Sequence, residues 1–541
     1  MLLARALRPH SPHKHTATNA TTNTTRAAGT EALPNTPAPY PALPMLDPTA
    51  DASRLAAILE WLSLPPLPDA TADLAALDQQ RAALRALTLT GPERLQALNR
   101  LAARTMVAIN GAQSQLSDQP LPLPRKLRSL TRALLDLSAA LADDFDALLG
   151  SPGSAGQLAP QRAQVRHRTL LLRRLHLEIA GLAGTPPHPD AWSGLHGAFA
   201  AAEREGLADG SPSRGERSAR LEYAHALLLG LVPAGALGAG AYALARRIGA
   251  ALAEELEFLP GPDGGHRGLF WIAPGRDIPP VALARRPPPP ETPARWVAAD
   301  RPARRLLQLA ASGQAERLGL PATHGAALLQ QHQPTLDKLA GLWGKPAKRR
   351  FPRRRQNYRA RLCIGLPAVW ALLAGRLPDD DETRFSRWMV TNESPDGYAA
   401  MHLSGPTDPV RPGEVVAIQG EKSPQWHVAL VRWVISENPE HLELGLQLAS
   451  PRAQAARAGD PAQGAAGETP ALFLPGMPGV RPAPALIVPV GTVDEGTPRL
   501  AVTIEGRDGA PAEILDTQPT SRLESTASVC LLQLAATTSV R

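Results

Sequence analysis

The spacing of apolar residues changes near residue 350, from a helical to a strand period. Over about 50–258 they recur at steps of three and four, most clearly between Leu127 and Leu148. Residues at that spacing share one face of a helix. Beyond residue 350 they alternate with polar residues, most regularly from Leu442 to Leu448, which is typical of strands. The sequence therefore predicts a multidomain α plus β protein, with an N-terminal all-α helical array followed by β domains.

Proline and glycine mark the expected domain boundaries. The 541 residues include 56 prolines and 44 glycines, well above average usage, so a single compact all-helical or all-strand domain is excluded. We expect a disordered low-complexity head (1–44), a helical domain (45–258), a Pro/Gly-rich linker with a hairpin and helices (259–342), a β-barrel (343–451), a linker (452–469) and a small β module (470–541). The hairpin is expected around 268–272 and 281–283.

Six short strand candidates follow residue 360. They lie at 361–366, 385–391, 397–403, 415–419, 427–436 and 442–448, with a short helix at 366–374 inserted after the first. Six short antiparallel strands in about 90 residues predict a small six-stranded barrel. Trp388, Trp433 and Cys363 are expected in its core, whereas Arg432 could face solvent or a ligand. Five further strands, at 471–474, 486–490, 500–505, 512–515 and 529–534, predict the last module.

The positive charge of the chain is concentrated in one segment. The net charge is +7, yet residues 345–361 hold nine cations and no acid, which leaves −2 for the rest. Such a segment could bind nucleic acid. It is short, and its aromatic residues Phe351 and Tyr358 form no obvious stacking platform, so nucleic acid is the less favoured partner. Arg166 and Arg174, on one predicted helix with three other arginines, are expected to face solvent or a neighbouring helix.

Several classes of protein are disfavoured by what the sequence lacks. Two cysteines make no disulfide framework, which favours a reducing compartment and hence the cytoplasm. We find neither zinc-ligand spacing nor a catalytic motif, so we expect no metal, no cofactor and no enzyme activity. The uncharged stretch 226–245 could span a membrane by length. Its small residues and Pro233 instead predict two packed helices with a turn at 232–234.

Two motifs flank the first two predicted barrel strands. Arg355 and Arg359 have the spacing Arg-x-x-x-Arg, and Asn392, Ser394 and Gly397 have the spacing Asn-x-Ser-x-x-Gly. Arginine pairs bidentately with phosphate and with the O6/N7 edge of guanine. Asn and Ser bond the backbone of tight turns, and glycine permits close approach of a ligand. The two motifs together are suited to binding a polar, anionic ligand.

This pair of motifs resembles the PilZ domain family, a bacterial receptor module for the second messenger cyclic di-GMP. The resemblance covers about 343–450. It implies that cyclic di-GMP is the ligand and that the site consists of Arg354, Arg355, Arg359, Asn392, Ser394 and Gly397. Arg349/Arg353 and Arg350/Arg354 also fit the first motif. The gap of 33 residues from Arg359 to Asn392 is longer than is usual in the family, and acidic Asp396 lies inside the second motif.

The resemblance implies a cyclic di-GMP effector. Ligand capture would reorient the barrel against the helical region, which would then present a changed surface to an unidentified protein partner. Motility, pili, exopolysaccharide or virulence are the expected outputs. Two alternatives stay open: a degenerate PilZ adaptor that binds protein and not nucleotide, and nucleic-acid binding through 345–361.

Overall fold

Nine α-helices build the N-terminal half of the described chain. The computed structural model describes residues 48–540 except 118, 151, 322, 349–350, 378–384, 407–408, 437–440, 462–467, 479–480, 494–496, 498, 507–511 and 536–537. The head expected over 1–44 lies outside the described residues. The helices are α1 Pro48–Ser63, α2 Ala70–Arg85, α3 Gly91–Leu116, α4 Arg125–Gly150, α5 Pro152–Gln157, α6 Arg162–Leu182, α7 Ala191–Arg204, α8 Ala219–Gly230 and α9 Ala239–Leu252.

Local sequence explains where these helices begin and which face they bury. Thr90 caps α3 in a reciprocal capping box with Glu93, which satisfies two backbone N–H groups that have no partner within the helix. On α4, Leu134, Leu141 and Phe145 are fully buried against α3 and α6. The turn expected at 232–234 falls between α8 and α9, as predicted. No helix among the described residues is long and apolar enough to cross a membrane.

Ion pairs join α6 to its neighbours. Arg174 of α6 is buried and donates to the carboxylate of Glu222 on α8, Nε to Oε2 at 2.5 Å, and also to Glu178 one turn along α6. Arg166 bonds Glu205 with Nη2 to Oε1 at 2.6 Å. The arginines of this helix therefore serve contacts with neighbouring elements, one of the two roles that the sequence left open.

The Pro/Gly-rich segment 259–342 is part of the helical core and not a linker, contrary to expectation. It holds three of the four strands of a sheet of order β1-β4-β2-β3 and, among its described residues, three α-helices. Their bounds are β1 Glu257–Leu259, β2 Leu269–Ile272, β3 Val281–Ala282, β4 Arg295–Ala298, α10 Asp300–Ala311, α11 Gly325–Gln331 and α12 Gln333–Gly344. The predicted hairpin is confirmed as β2 and β3. Trp343 is fully buried among α8 residues, and its indole Nε1 donates to the Leu228 carbonyl at 3.1 Å.

A closed antiparallel barrel follows, with strand order β10-β7-β6-β5-β8-β9. Its elements are β5 Arg354–Ile364, α13 Leu366–Leu373, β6 Ser386–Ser394, β7 Gly397–Ser404, β8 Val415–Gly420, β9 His427–Ser436 and β10 Leu442–Ser450. All six predicted strands and the inserted helix are confirmed. Trp388 is buried in the barrel core as expected, whereas Cys363 is buried on the outer face of the barrel, in the cluster with α13 and the C-terminal sheet. Trp433 is only half-buried and lies against Gly445 on β10.

The C-terminal part is one eight-stranded sheet of order β16-β17-β13-β12-β11-β14-β15-β18. Its strands are β11 Gln454–Gly459, β12 Thr469–Leu474, β13 Ala485–Pro489, β14 Leu500–Ile504, β15 Glu513–Thr517, β16 Pro519–Ser525, β17 Val529–Leu534 and β18 Thr538–Val540. The five predicted strands are present. However, β11 lies inside the segment 452–469 that we expected to be a linker, because its buried Ala455, Ala456 and Ala458 resemble linker composition.

The outer face of the barrel shares a core with α13 and the C-terminal sheet. Val415 and Leu430 of the barrel pack in one cluster with Leu472 and Ile487 of the sheet. Trp370 of α13 donates from Nε1 to a carbonyl of β11 at 2.8 Å. The barrel and the C-terminal sheet therefore bury apolar surface against each other.

One end of the barrel is attached to the helical domain through main-chain hydrogen bonds. The Val434 amide donates to the Gly235 carbonyl at 3.0 Å, and the Ser436 amide donates to the Gly184 carbonyl at 2.8 Å. Leu121 and Val410 exchange two further main-chain bonds. We call these four bonds the docking contact.

Candidate ligand-binding site

The two sequence motifs meet on the paired strands β5 and β6. Arg355 lies directly opposite Asn392, and Arg359 lies opposite Met389 farther along the pair. Opposite residues on antiparallel strands hold their side chains on one face, close enough to share a ligand. Both arginines are exposed. The structure thus brings Arg355 and Asn392 together.

The first motif lies on a strand and not ahead of one. The sequence placed the first strand at 361–366, whereas β5 begins at Arg354 and is interrupted by a bulge between Arg355 and Tyr358. Arg354 lies opposite Glu393. Because neighbouring strand residues point to opposite faces, Arg354 does not share the face of Arg355. Of the alternative arginine pairs, Arg349 and Arg350 lie outside the described residues.

The second motif forms the tight turn between β6 and β7. Ser394 and Gly397 pair across a two-residue connection, and the Ser394 hydroxyl donates to the Gly397 carbonyl at 3.4 Å. Gly397 has a φ of 148°, and a Cβ there would lie 2.0 Å from the carbonyl oxygen of Leu446 on β10. Approach of the β10 backbone therefore requires glycine here, independently of any ligand.

Asp396 bonds residues of β10, on the side of β7 away from β5. Its Oδ1 accepts from the side-chain amide of Gln447 at 3.4 Å, and the Gln447 Oε1 accepts from Arg432 Nε at 2.6 Å. Arg432 in turn pairs with Glu524 of β16, Nη2 to Oε2 at 2.7 Å. Arg432 therefore contacts the C-terminal sheet, which is neither of the two alternatives, solvent and ligand, that the sequence left open.

Four polar side chains at this end of the barrel were not anticipated from the sequence. The Tyr358 hydroxyl donates to Glu393 Oε2 at 3.2 Å, and the Tyr398 hydroxyl lies 2.7 Å from His427 Nδ1. Burial, with the Glu393 carboxylate nearby, raises the pKa of Tyr398 to about 12. Burial lowers the pKa of His427, and Glu393 partly opposes that shift. Nothing in the spacing of the sequence marks this cluster, because its members come from four strands.

Arg361, the last cation of the basic segment, has partners on the barrel. Arg361 Nη2 donates to Gln419 Oε1 at 2.5 Å, and its guanidinium lies 5.3 Å from the ring centre of Phe385 and 5.4 Å from that of Trp426. This arginine is therefore bound to the barrel surface. A guanidinium that is engaged by barrel side chains is less available to the phosphates of a nucleic acid.

Comparison with known families agrees with this geometry. Residues 376–455 match the family described as Cyclic-di-GMP receptor FimW, middle PilZ domain. The chain is a PilZ-domain protein. Residues 56–263, which run from α1 past β1, match the family described as Cyclic-di-GMP receptor FimW, N-terminal domain. The two matches together cover just over half of the chain. No curated protein matches it.

The PilZ match starts after β5 and α13. It includes the turn motif of Asn392, Ser394 and Gly397, and it leaves out Arg355 and Arg359. The assignment of the arginines to the site therefore depends on the sequence motif and on the pairing of β5 with β6. The roles of all six candidate residues in binding stay predictions.

Proposed function

We propose that this PilZ-domain protein is a receptor for cyclic di-GMP, and that it acts by binding and not by catalysis. The observation that carries the proposal is the placement of Arg355 opposite Asn392 on exposed, paired strands. Both matched families are described as parts of a cyclic di-GMP receptor, which supports the same ligand.

The chemistry of the site suits a molecule with two phosphates and two guanines. Arg355 and Arg359 would each make charge-assisted hydrogen bonds to phosphate or guanine, at about 1.5–3 kcal/mol per bond. Asn392 would add neutral hydrogen bonds. Ser394 would do so after releasing its bond to the Gly397 carbonyl. Because strand residues are already ordered, binding costs less conformational entropy than it would in a flexible segment.

The helical array is the proposed output region. It would present its surface to a protein partner that acts in motility, pilus, exopolysaccharide or virulence functions. Reorientation of the whole barrel would break the docking contact. We propose that ligand capture at the arginine and turn motifs acts on the helical array through this contact.

An adaptor that binds protein and not nucleotide is the second candidate. Glu393 favours it, because this acid lies opposite Arg354 and inside the turn motif, where its negative charge opposes binding of phosphate. The adaptor and the receptor differ in one direct measurement.

That measurement is calorimetric titration of the full-length chain with cyclic di-GMP, cyclic di-AMP and a short duplex DNA. We expect micromolar or tighter binding of cyclic di-GMP alone. The Arg355→Ala/Arg359→Ala variant should bind cyclic di-GMP with about 100-fold lower affinity, about tenfold per arginine. The control variant Arg100→Ala/Arg304→Ala removes the same charge from exposed positions on α3 and α10 and should bind normally. A folded wild-type chain that gives no saturable signal with cyclic di-GMP would exclude the receptor and favour the adaptor. Binding of the DNA would favour the nucleic-acid alternative.

A further inference from the structure

A cavity lies where the helical domain meets the far end of the barrel. Its volume is about 280 Å³, and it is enclosed by the start of α4, the chain that follows α6, and Ser436 at the end of β9. His427 begins the same strand at the opposite end, beside Tyr398. The cavity is therefore separate from the arginine and turn motifs. Junctions between domains are frequent positions for small-molecule sites.

The walls combine apolar and cationic side chains. The Arg128 guanidinium donates to the Leu123 carbonyl at 2.8 Å, which fixes it at the wall. Arg132, one helix turn farther along α4, is exposed at the rim. His188 is held by Asp136, Nε2 to Oδ1 at 3.2 Å. Among the residues that the structure describes, the lining includes no acidic residue; it consists of Leu123, Arg128, Thr131, Arg132, Leu135, Ala183, Thr185, Pro186, Pro187, His188, Pro189 and Ser436.

Thr131 gives the cavity an unused polar group. Its side chain is buried, with the residue 4% exposed, and its hydroxyl has no hydrogen-bond partner within the part of the chain that the structure describes. A buried hydroxyl without a partner is unfavourable. A ligand in this cavity could supply the missing hydrogen bond.

We propose that this cavity binds a small molecule with one anionic head group, a phosphate or a carboxylate, and a short apolar body. Arg128 and Arg132 would hold the head group, since guanidinium pairs bidentately with both kinds of anion. The prolines and leucines would contact the body. The cavity volume of about 280 Å³ is near the lower end of the usual range for ligand sites, about 300–1,000 Å³, which suits a small ligand. Because Ser436 belongs to the barrel and the other walls to the helical domain, an occupant strengthens the docking contact.

The test uses the full-length chain and three probes of one size. Phenyl phosphate and benzoate carry the two possible head groups, and benzyl alcohol carries none. Binding is followed by ligand-observed NMR titration and by the shift in thermal unfolding midpoint. One of the two anions should bind saturably, and benzyl alcohol should bind at least about tenfold more weakly.

Three variants locate the binding. Arg128→Gln/Arg132→Gln should lower the affinity for the anion about tenfold or more. Thr131→Val keeps the shape of the side chain and removes the hydroxyl. It should lower the affinity for the anion severalfold while raising the thermal unfolding midpoint of the free protein. Arg355→Ala/Arg359→Ala should leave it unchanged, so this test is independent of cyclic di-GMP binding. The proposal would be overturned if neither anion bound saturably. It would also be overturned if Arg128→Gln/Arg132→Gln folded and bound the anion as well as the wild type does.

Discussion

The substitution Gly235→Ala tests how the barrel is attached to the helical domain. Gly235 has a φ of 69°, and a Cβ there would lie 2.1 Å from the carbonyl oxygen of Val434 on β9. The left-handed conformation costs an alanine about 1–2 kcal/mol. Relief of the clash also separates the Gly235 carbonyl from the Val434 amide, and an unsatisfied buried group costs about 1–3 kcal/mol more. We therefore expect a total loss of about 2–5 kcal/mol.

The matched control is Gly313→Ala. Gly313 also has a φ of 69°, but a Cβ there would meet nothing within 4 Å. Its free energy of unfolding should fall only by the cost of the left-handed conformation, about 1–2 kcal/mol. Urea unfolding of both variants gives the difference, and hydrogen exchange at the Val434 amide should accelerate only in Gly235→Ala. Equal losses of stability, with unchanged exchange at Val434, would show that the contact with β9 does not hold the barrel.

Two further predictions concern buried charge and acid stability. Arg174→Met leaves Glu178 and Glu222 without their buried cation and should lower the free energy of unfolding, measured with urea, by about 3–5 kcal/mol. The control Arg162→Met, at a half-exposed position, should lower it by less than about 1 kcal/mol. Burial, with a smaller effect of a neighbouring histidine, lowers the pKa of His176 from 6.5 to about 4. As the pH falls, the unfolded chain takes up a proton at His176 before the folded chain does. The free energy of unfolding should therefore fall by about 3 kcal/mol between pH 6.5 and 4, and this group should not affect it above that range. His176→Gln should flatten that part of the pH profile, and an unchanged profile would contradict the lowered pKa of His176.

The barrel could be predicted from the sequence because its strands alternate clearly. Residues 442–448 alternate most regularly, and the second motif marks the turn between the strands that hold Asn392 and Gly397. The pairing of Arg355 with Asn392 could not be predicted, because the bulge after Arg355 displaces the register and β5 begins before its apolar residues do. The polar cluster of Tyr358, Glu393 and His427 was also missed, since its members come from separate strands.

Composition misled the prediction where burial depends on distant parts of the chain. The prolines and glycines of 259–342 indicated a linker, yet Leu336 and Leu339 there are fully buried in one core cluster with residues of α8. The alanines of 452–469 indicated a linker, yet small residues suit a strand that is covered on both faces. Ala455 packs in the cluster shared with the barrel, and its neighbour Ala456 packs in a second cluster. In both cases the neighbours that bury the segment lie far away in sequence, so local patterns carry no signal for them.

The core shared by the barrel, α13 and the C-terminal sheet affects how this protein can be divided. A fragment that ends at the matched boundary near residue 455 keeps Val415 and Leu430 but removes Leu472 and Ile487, which cover them. Such a fragment exposes an apolar face and invites aggregation. The PilZ barrel of this protein is thus a recognisable unit of inheritance without being an independent unit of folding. Grafting it onto another scaffold requires transferring the sheet that follows it.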